Sequence, residues 1–181
     1  MSKSIGAIEL RSISKGFEVA DNMVKTANVE ILFLKSICPG RFIVILAGDV
    51  GAVKSAIEEG RVVGKDYILD SFILNAVHED IIAALKSRAK NEINQAIGIM
   101  ETNSVCSGLE ALDATLKGGD VNLIKLQLAF GIGGKLIYII SGGLSDVEYG
   151  MTIATEAIDN KRIVNISIIP SPDESIIKFL T

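Results

Sequence analysis

One feature constrains this chain more than any other: the sequence is written twice. Ser4-Ile-Gly-Ala-Ile-Glu9 returns as Ala96-Ile-Gly-Ile-Met-Glu101, so Gly6 falls on Gly98, 92 residues on. The same step carries Ser12 onto Ser104, Gly16 onto Gly108, Glu18 onto Glu110, Asp21 onto Asp113, Lys25 onto Lys117 and Val29 onto Val121. Further along the step grows to 94. Gly40-Arg-Phe-Ile then meets Gly134-Lys-Leu-Ile, Gly48 meets Gly142 and Val53 meets Val147. Identities held at a fixed offset mark a tandem duplication. The boundary is expected in the polar run Lys90 to Asn94, giving domains 1–92 and 93–181. Whatever the fold is, half of a 181-residue chain must be able to build it.

The first copy alternates between strand-like and helix-like patterns. Ile5 to Leu10 reads as a strand. Lys15 to Ala27 reads as an amphipathic helix, with Phe17, Ala20, Val24 and Ala27 at helical spacing. Val29 to Leu34 and Phe42 to Ala47 read as a hairpin around Cys38-Pro39-Gly40, where Pro fixes φ and Gly tolerates the left-handed region. Asp49 is placed to cap a helix from Val50 to about Glu59, with Val53, Ala56 and Ile57 inward. A strand from Tyr67 to Leu74 and a short helix from Glu79 to Lys86 complete the copy.

The second copy predicts the same order: strand Ile97 to Glu101, helix Ser107 to Lys117, strands Val121 to Leu126 and Leu136 to Ile140, helix Asp146 to Ile158, strand Ile163 to Ile168. Ser171-Pro-Asp-Glu174 has the form of a serine-capped start for a last helix. The order β-α-β-β-α-β is that of the ferredoxin-like split βαβ, an α/β (α+β) class with one antiparallel four-stranded sheet and flanking helices per copy.

Charge and composition exclude several classes. A net charge of −4 and 5% aromatic residues with no Trp disfavour nucleic acid as a partner. The 49% hydrophobic content is high, yet no apolar run approaches the roughly 18 residues of a membrane span. That surface is expected to meet other subunits and not lipid. The first apolar residues are broken by Glu9 and Arg11, so no signal peptide is expected. Neither copy shows a catalytic constellation. His78, the single histidine, reads as a solvated loop or helix-start residue with no partner in view. Of the two cysteines, Cys106 sits near a helix start, which can lower a thiol pKa, but reads as a partly buried small hydrophobe.

Cys38 is the residue that breaks the repeat. One copy presents Ser36-Ile-Cys-Pro-Gly-Arg-Phe42, the other Phe130-Gly-Ile-Gly-Gly134 with two residues more and no thiol. Without a C-x2-C motif, spacing leaves two readings open, a turn cysteine in a small-molecule passage or a metal ligand.

Several of these residues carry a family resemblance. Ile5-Gly-Ala-Ile-Glu9, Gly16, Asp21, Lys25, Ala27-Asn-Val29, Pro39-Gly-Arg-Phe42 and Gly48-Asp-Val-Gly-Ala-Val53 resemble the bacterial microcompartment (BMC) shell domain. The two loops together are most similar to the iron–sulfur-bearing tandem type of propanediol-utilisation compartments. The resemblance implies a homotrimer imitating a hexamer, tiled with other shell proteins in the wall of a cytoplasmic organelle. It sets Ser36, Ile37, Cys38, Pro39 and Gly40 and Phe130, Gly131, Ile132, Gly133 and Gly134 at a central pore. It matches Lys25 and Lys117 to the lysine at tile edges. An arginine-containing edge motif, usual near Ser171-Pro-Asp173 in single-domain members, is absent.

The same resemblance implies one [4Fe–4S] cluster per trimer, held by three Cys38 thiolates, and an electron relay to an encapsulated or cytosolic redox enzyme. Glycines on both loops would let backbone N–H groups approach sulfur, and Pro39 would stiffen the approach of Cys38. A pore for metabolites without a cluster, and a mononuclear metal held by three thiolates, are the alternatives.

Overall fold

The computed structural model describes residues 4–86, 93, 95–129 and 131–180. The expected repeat boundary at Lys90 to Asn94 lies outside the described residues, apart from Ile93.

The first copy runs β1 (Ser4–Leu10), α1 (Ile13–Thr26), β2 (Glu30–Ile37), β3 (Arg41–Gly48), α2 (Val50–Gly64), β4 (Ile68–Leu74) and α3 (Glu79–Leu85). The second runs β5 (Ala96–Thr102), α4 (Val105–Gly118), β6 (Val121–Leu128), β7 (Leu136–Gly142), α5 (Leu144–Ala157), β8 (Ile163–Ile169) and α6 (Glu174–Leu180). The sheets have strand orders β2-β3-β1-β4 and β6-β7-β5-β8, and every pairing is antiparallel. This is the expected ferredoxin-like fold, built twice. The chain gathers into two compact units, Met1–Val77 with Phe130–Gly134, and His78–Ala129 with Lys135–Thr181.

In the first unit, β1 is buried along all seven residues and β3 along its middle six. Strands buried on both faces read as continuous apolar runs, which is why Phe42 to Ala47 shows no alternation. One face packs on α1 and α2, with Ile8, Leu10, Val44 and Leu46 against Val19, Met23, Val53 and Ile57. Each such side chain contributes about 1.5–3 kcal/mol when fully buried.

The buried stripe of α1 is Gly16, Val19, Ala20 and Met23, which corrects the face expected from Phe17 and Val24. Both of those are exposed. Gly16 decides the rotation: a Cβ there would strike the Phe42 ring, so the helix seats its bare position on β3. The Phe17 ring is left at the margin, tilted against Phe42 with centroids 4.8 Å apart.

Helix starts follow the sequence in part. Ser12 and Ser104 cap α1 and α4, their hydroxyls accepting the N–H groups of Lys15 and Ser107. Asp49 occupies the cap position of α2, but its side chain makes no capping bond. The expected serine cap of α6 is also corrected. The helix opens at Glu174, and the Asp173 carboxylate accepts the Ser175 N–H at 2.8 Å. A carboxylate outcompetes a hydroxyl at the positive end of a helix, and these bonds hold the Asp173 pKa below its ordinary value.

His78 caps α3 through Nδ1, which accepts the Asp80 N–H at 3.4 Å. Its own N–H donates to Asp113 Oδ1 at 2.9 Å, so the residue read as partnerless has two partners. Cys106, read as partly buried, is fully buried on α4.

The second unit packs α4 and α5 on one face of its sheet. On the other face Ile177 and Leu180 of α6 join Ile93, Ile97, Ile124 and Ile139. One core position differs instructively between copies. Where the first has Met23 and Val44, the second has Thr115 and Tyr138 at the same repeat positions. The large residue has moved from helix to strand. The Tyr138 hydroxyl lies 3.1 Å from Thr115 Oγ1 and donates to Met100 Sδ at 3.0 Å. Burial pushes the phenol pKa far above its usual value, with the Thr115 bond pulling back against it.

Because the two pairs are volume-compensated, Thr115→Met alone should cost about 1–3 kcal/mol through overpacking and a lost hydroxyl partner. The double variant Thr115→Met with Tyr138→Val, which installs the first copy's pair, should recover most of that loss. Urea unfolding of wild type, both single variants and the double at one protein concentration measures the coupling. Strictly additive losses would refute it.

Candidate functional site

The Cys38 turn is set by its flanking strands. β2 and β3 pair up to Ile37↔Arg41, leaving only Cys38, Pro39 and Gly40 to reverse the chain. Gly40 takes φ +78°, a region that disfavours any residue with a Cβ, and the Cys38–Pro39 peptide is cis. Ile37 is buried and anchors the end of β2, while Ser36, Cys38, Pro39 and Gly40 are exposed. The thiol is therefore presented to solvent from a short and tightly specified support.

A buried ion pair fixes the same strand end. Arg41 Nη1 donates to Glu9 Oε1 at 2.9 Å, and the Glu9 side chain is only 1% exposed. A carboxylate so buried is held in place by its cation, because leaving it unpaired costs several kcal/mol. The second copy has a partly exposed counterpart, Lys135 and Glu101 at 2.5 Å. Sequence reading missed both pairs. The signal was available: an acid inside an apolar strand, with a base directly after the turn glycine, in each copy.

The second loop supplies the other part of the site. Its neck is closed by the Ala129 N–H donating to the Lys135 carbonyl at 2.7 Å. Gly131, Gly133 and Gly134 all have positive φ, as does buried Ala129. Gly131 and Gly133 are exposed, Ile132 is half-buried and Gly134 is buried. Phe130 lies outside the described residues. Gly134 lies against the Cys38 backbone so closely that a Cβ would fall on the Cys38 carbonyl oxygen. The expected pore residues Cys38, Pro39 and Gly134 are thus brought together within the first unit.

The two lysines are elsewhere. Lys25 and Lys117 sit on the last turns of α1 and α4, each bonded to the aspartate four residues earlier, Asp21 and Asp113. They are at the opposite ends of β2 and β6 from the loops, about 25 Å away along an eight-residue strand.

Among the described residues, no group of three or more His, Cys, Asp or Glu side chains converges. One chain thus offers a single exposed thiol at this turn. It fits a cluster only as one ligand among several, the rest coming from other copies. Gly131 and Gly133 of the second loop have nothing against them, while Gly134 is packed on the Cys38 backbone.

The BMC domain matches residues 4–77 and 96–172, one match per copy. The chain belongs to the BMC shell-protein family. It is a structural subunit of the shell. It is 43% identical over 176 residues to the bacterial microcompartment shell protein PduT of Citrobacter freundii, covering 97% of this chain and 96% of that protein. The carboxysome shell protein CcmK2 of Synechocystis is 35% identical over 100 residues, spanning 52% of this chain and 96% of its own length, as a one-copy relative should. A crystal structure of a microcompartment protein from Desulfitobacterium hafniense superposes with a TM-score of 0.90 at 35% identity, covering 98% and 99% of the two chains.

Gly134→Ala and Gly131→Ala separate contact from conformation. Both carry positive φ, but only the first has a neighbour to strike. Each should lose roughly 1–2 kcal/mol of stability for the left-handed backbone. Gly134→Ala should also change the alkylation rate of Cys38 severalfold, leaving Gly131→Ala at the wild-type rate. Equal rates in all three BMC proteins would show that Gly134 does not position the thiol.

Proposed function

We propose that this BMC shell protein assembles as a trimer that gathers three Cys38 thiolates around one axis to hold a [4Fe–4S] cluster, making the tile an electron relay across the shell. The observation that carries this reading is the exposed Cys38 on a support braced from two sides, by Gly134 and by the Glu9–Arg41 pair. The similarity to the shell protein PduT over nearly the full length supports the part of this reading that makes the chain a shell tile.

Each part of the chain has a task in this arrangement. Cys38 donates a thiolate, the usual way such clusters are held. Gly40 and Pro39 fix its approach. The 131–134 loop excludes bulk from beside the thiol and offers backbone N–H groups toward sulfur. When bound, the cluster supplies one-electron redox chemistry, and a partner on either side of the wall, an encapsulated or a cytosolic redox enzyme, would exchange electrons with it. Ser36 and Ile37 carry the turn into the pore region.

The copies are bounded at residues 92 and 93 in this reading. Lys25 and Lys117, alike in position and in aspartate pairing, would meet other shell proteins at equivalent tile edges.

Iron and acid-labile sulfide measured per three chains after anaerobic purification, beside Cys38→Ala, test the proposal. About four of each is expected in wild type, with loss of both in the variant while its assembly mass is unchanged. One iron and no sulfide would replace the cluster by a mononuclear site. No iron after anaerobic reconstitution would leave a shell pore for small metabolites.

A further inference from the structure

The register of the first sheet lines up a row of charges that the second sheet lacks. On the face turned away from α1 and α2, Lys35 of β2 lies opposite Ile43, Ile43 opposite Glu9, and Glu9 opposite Asp70 of β4. Arg41 shares that face and bonds Glu9. The repeat counterparts are Gln127, Ile137, Glu101 and Asn165. The copy without the thiol thus has an amide at each end of the row. The copy with Cys38 has a cation at one end and a carboxylate at the other.

The positive end is the one beside Cys38. Lys35 is exposed, and its ammonium lies over the Phe33 ring, 5.4 Å from the centroid, with no carboxylate bonded to it among the described residues. A ring face holds an ammonium in place and leaves its charge standing. The Arg41–Glu9 pair adds to this. Its carboxylate is 1% exposed and its guanidinium side chain 33%, so the pair turns its positive end to solvent. Asp70 lies three strands from Lys35, at the other edge of the sheet. From Ile31 to Gly48 the hairpin holds Lys35 and Arg41 and no acid, in a chain whose acids outnumber its Lys and Arg by 22 to 18. The patch therefore runs against the overall charge.

We infer that this cationic corner, Lys35 with Arg41 beside Cys38, is where an acidic electron-carrier protein docks. The inference rests on the cluster reading for its purpose and adds the partner's charge and its place of contact. A carrier must arrive quickly and leave again. Opposite charges at the rim of a contact serve that need, because they raise the association rate more than the lifetime. Encounters between redox proteins also bury little surface, which suits a corner of this size. Lys35 can meet a partner's carboxylates without first breaking an ion pair. Lys25 and Lys117 cannot, since each is bonded to an aspartate.

Lys35→Gln, which installs the second copy's residue, tests the inference beside Lys35→Glu. Thermal melts establish that the variants fold, and Lys54→Gln on the exposed side of α2 serves as the control. The probe is flavodoxin, an acidic one-electron carrier, titrated calorimetrically against the full chain at low salt. Wild type should bind with an affinity that falls as salt rises. Lys35→Gln should weaken binding severalfold and Lys35→Glu by more than about tenfold, because it opposes like charges. Lys54→Gln should match wild type. In the iron-loaded chain, reduction by flavodoxin hydroquinone should slow in the same order, while reduction by the methyl viologen radical, a cation, should not slow. Binding that ignores Lys35, or that falls equally with Lys54→Gln, overturns the inference. So does equal slowing with both reductants, which would place the effect in the cluster and not in docking. The cluster reading fails separately. Flavodoxin binding that depends on Lys35 in a chain without iron or sulfide upholds the docking surface and sinks the relay. A cluster with no dependence on Lys35 does the reverse.

Discussion

The structure depends on central strands that are apolar on both sides. β1 and β3 have almost no residue that belongs in water, so a sheet built from them is stable only when something covers each face. α1 and α2 cover one face by meeting it at glycines. A Cβ at Gly6 would strike Ile57, and one at Gly16 would strike Phe42. The second copy repeats both close approaches at Gly98 and Gly108. Those four positions fix how near the helices lie, and hence which apolar residues are sealed in and which, like Phe17, are left at the edge. Side chains elsewhere have changed between copies while this geometry has stayed. The exchange of Met23 and Val44 for Thr115 and Tyr138 shows the core re-solved at constant volume.

Much of this was legible in the sequence. The offsets of 92 and 94 give the duplication directly, and the order of apolar periodicities gives the ferredoxin-like sheet. Cys38 stood out because its copy lacks it. The orientation of α1 was not legible, because a hydrophobicity pattern assigns the buried face to the largest apolar residues. Here the face is decided by a glycine that contributes no hydrophobicity at all. The helix start at Asp173 was misread for a related reason: Ser171 and Pro172 match a capping pattern, but the stronger acceptor two residues later wins. The bracing of Cys38 was hidden because Gly134 reaches it from 96 residues away in sequence, through the shape of two loops and no pairing of residue types.

Loop and scaffold therefore carry separate duties. Both copies keep the ion pair at the base of the turn, Glu9 with Arg41 and Glu101 with Lys135, sealed from solvent on the acid side in the first and partly exposed in the second. Beyond that base they diverge completely: one is three residues long and presents a thiol, the other is longer and is mostly glycine backbone. A buried pair is poor evidence of added stability compared with an apolar pair of the same shape. The return of an ion pair at the same strand end in the second copy, where it is partly exposed, fits a positional role better than an energetic one.

In the proposed trimer, duplication would also set the number of thiolates at the axis. A shell domain present as a single copy and arranged around a sixfold axis would place the same turn at the axis six times, and a cysteine in it would appear six times. Six thiolates at one point repel one another and exceed what a cubane cluster can use, since each iron takes one external ligand and there are four irons. Writing the domain twice and keeping the cysteine in one copy halves the number to three. In the proposed trimer the remaining three positions would be taken by a loop with no side-chain charge between Gly131 and Gly134. On this argument the absence of the thiol from the second copy matters as much as its presence in the first, and in the proposed trimer the extra length of the 131–134 loop would fill the space that three further cysteines would otherwise take.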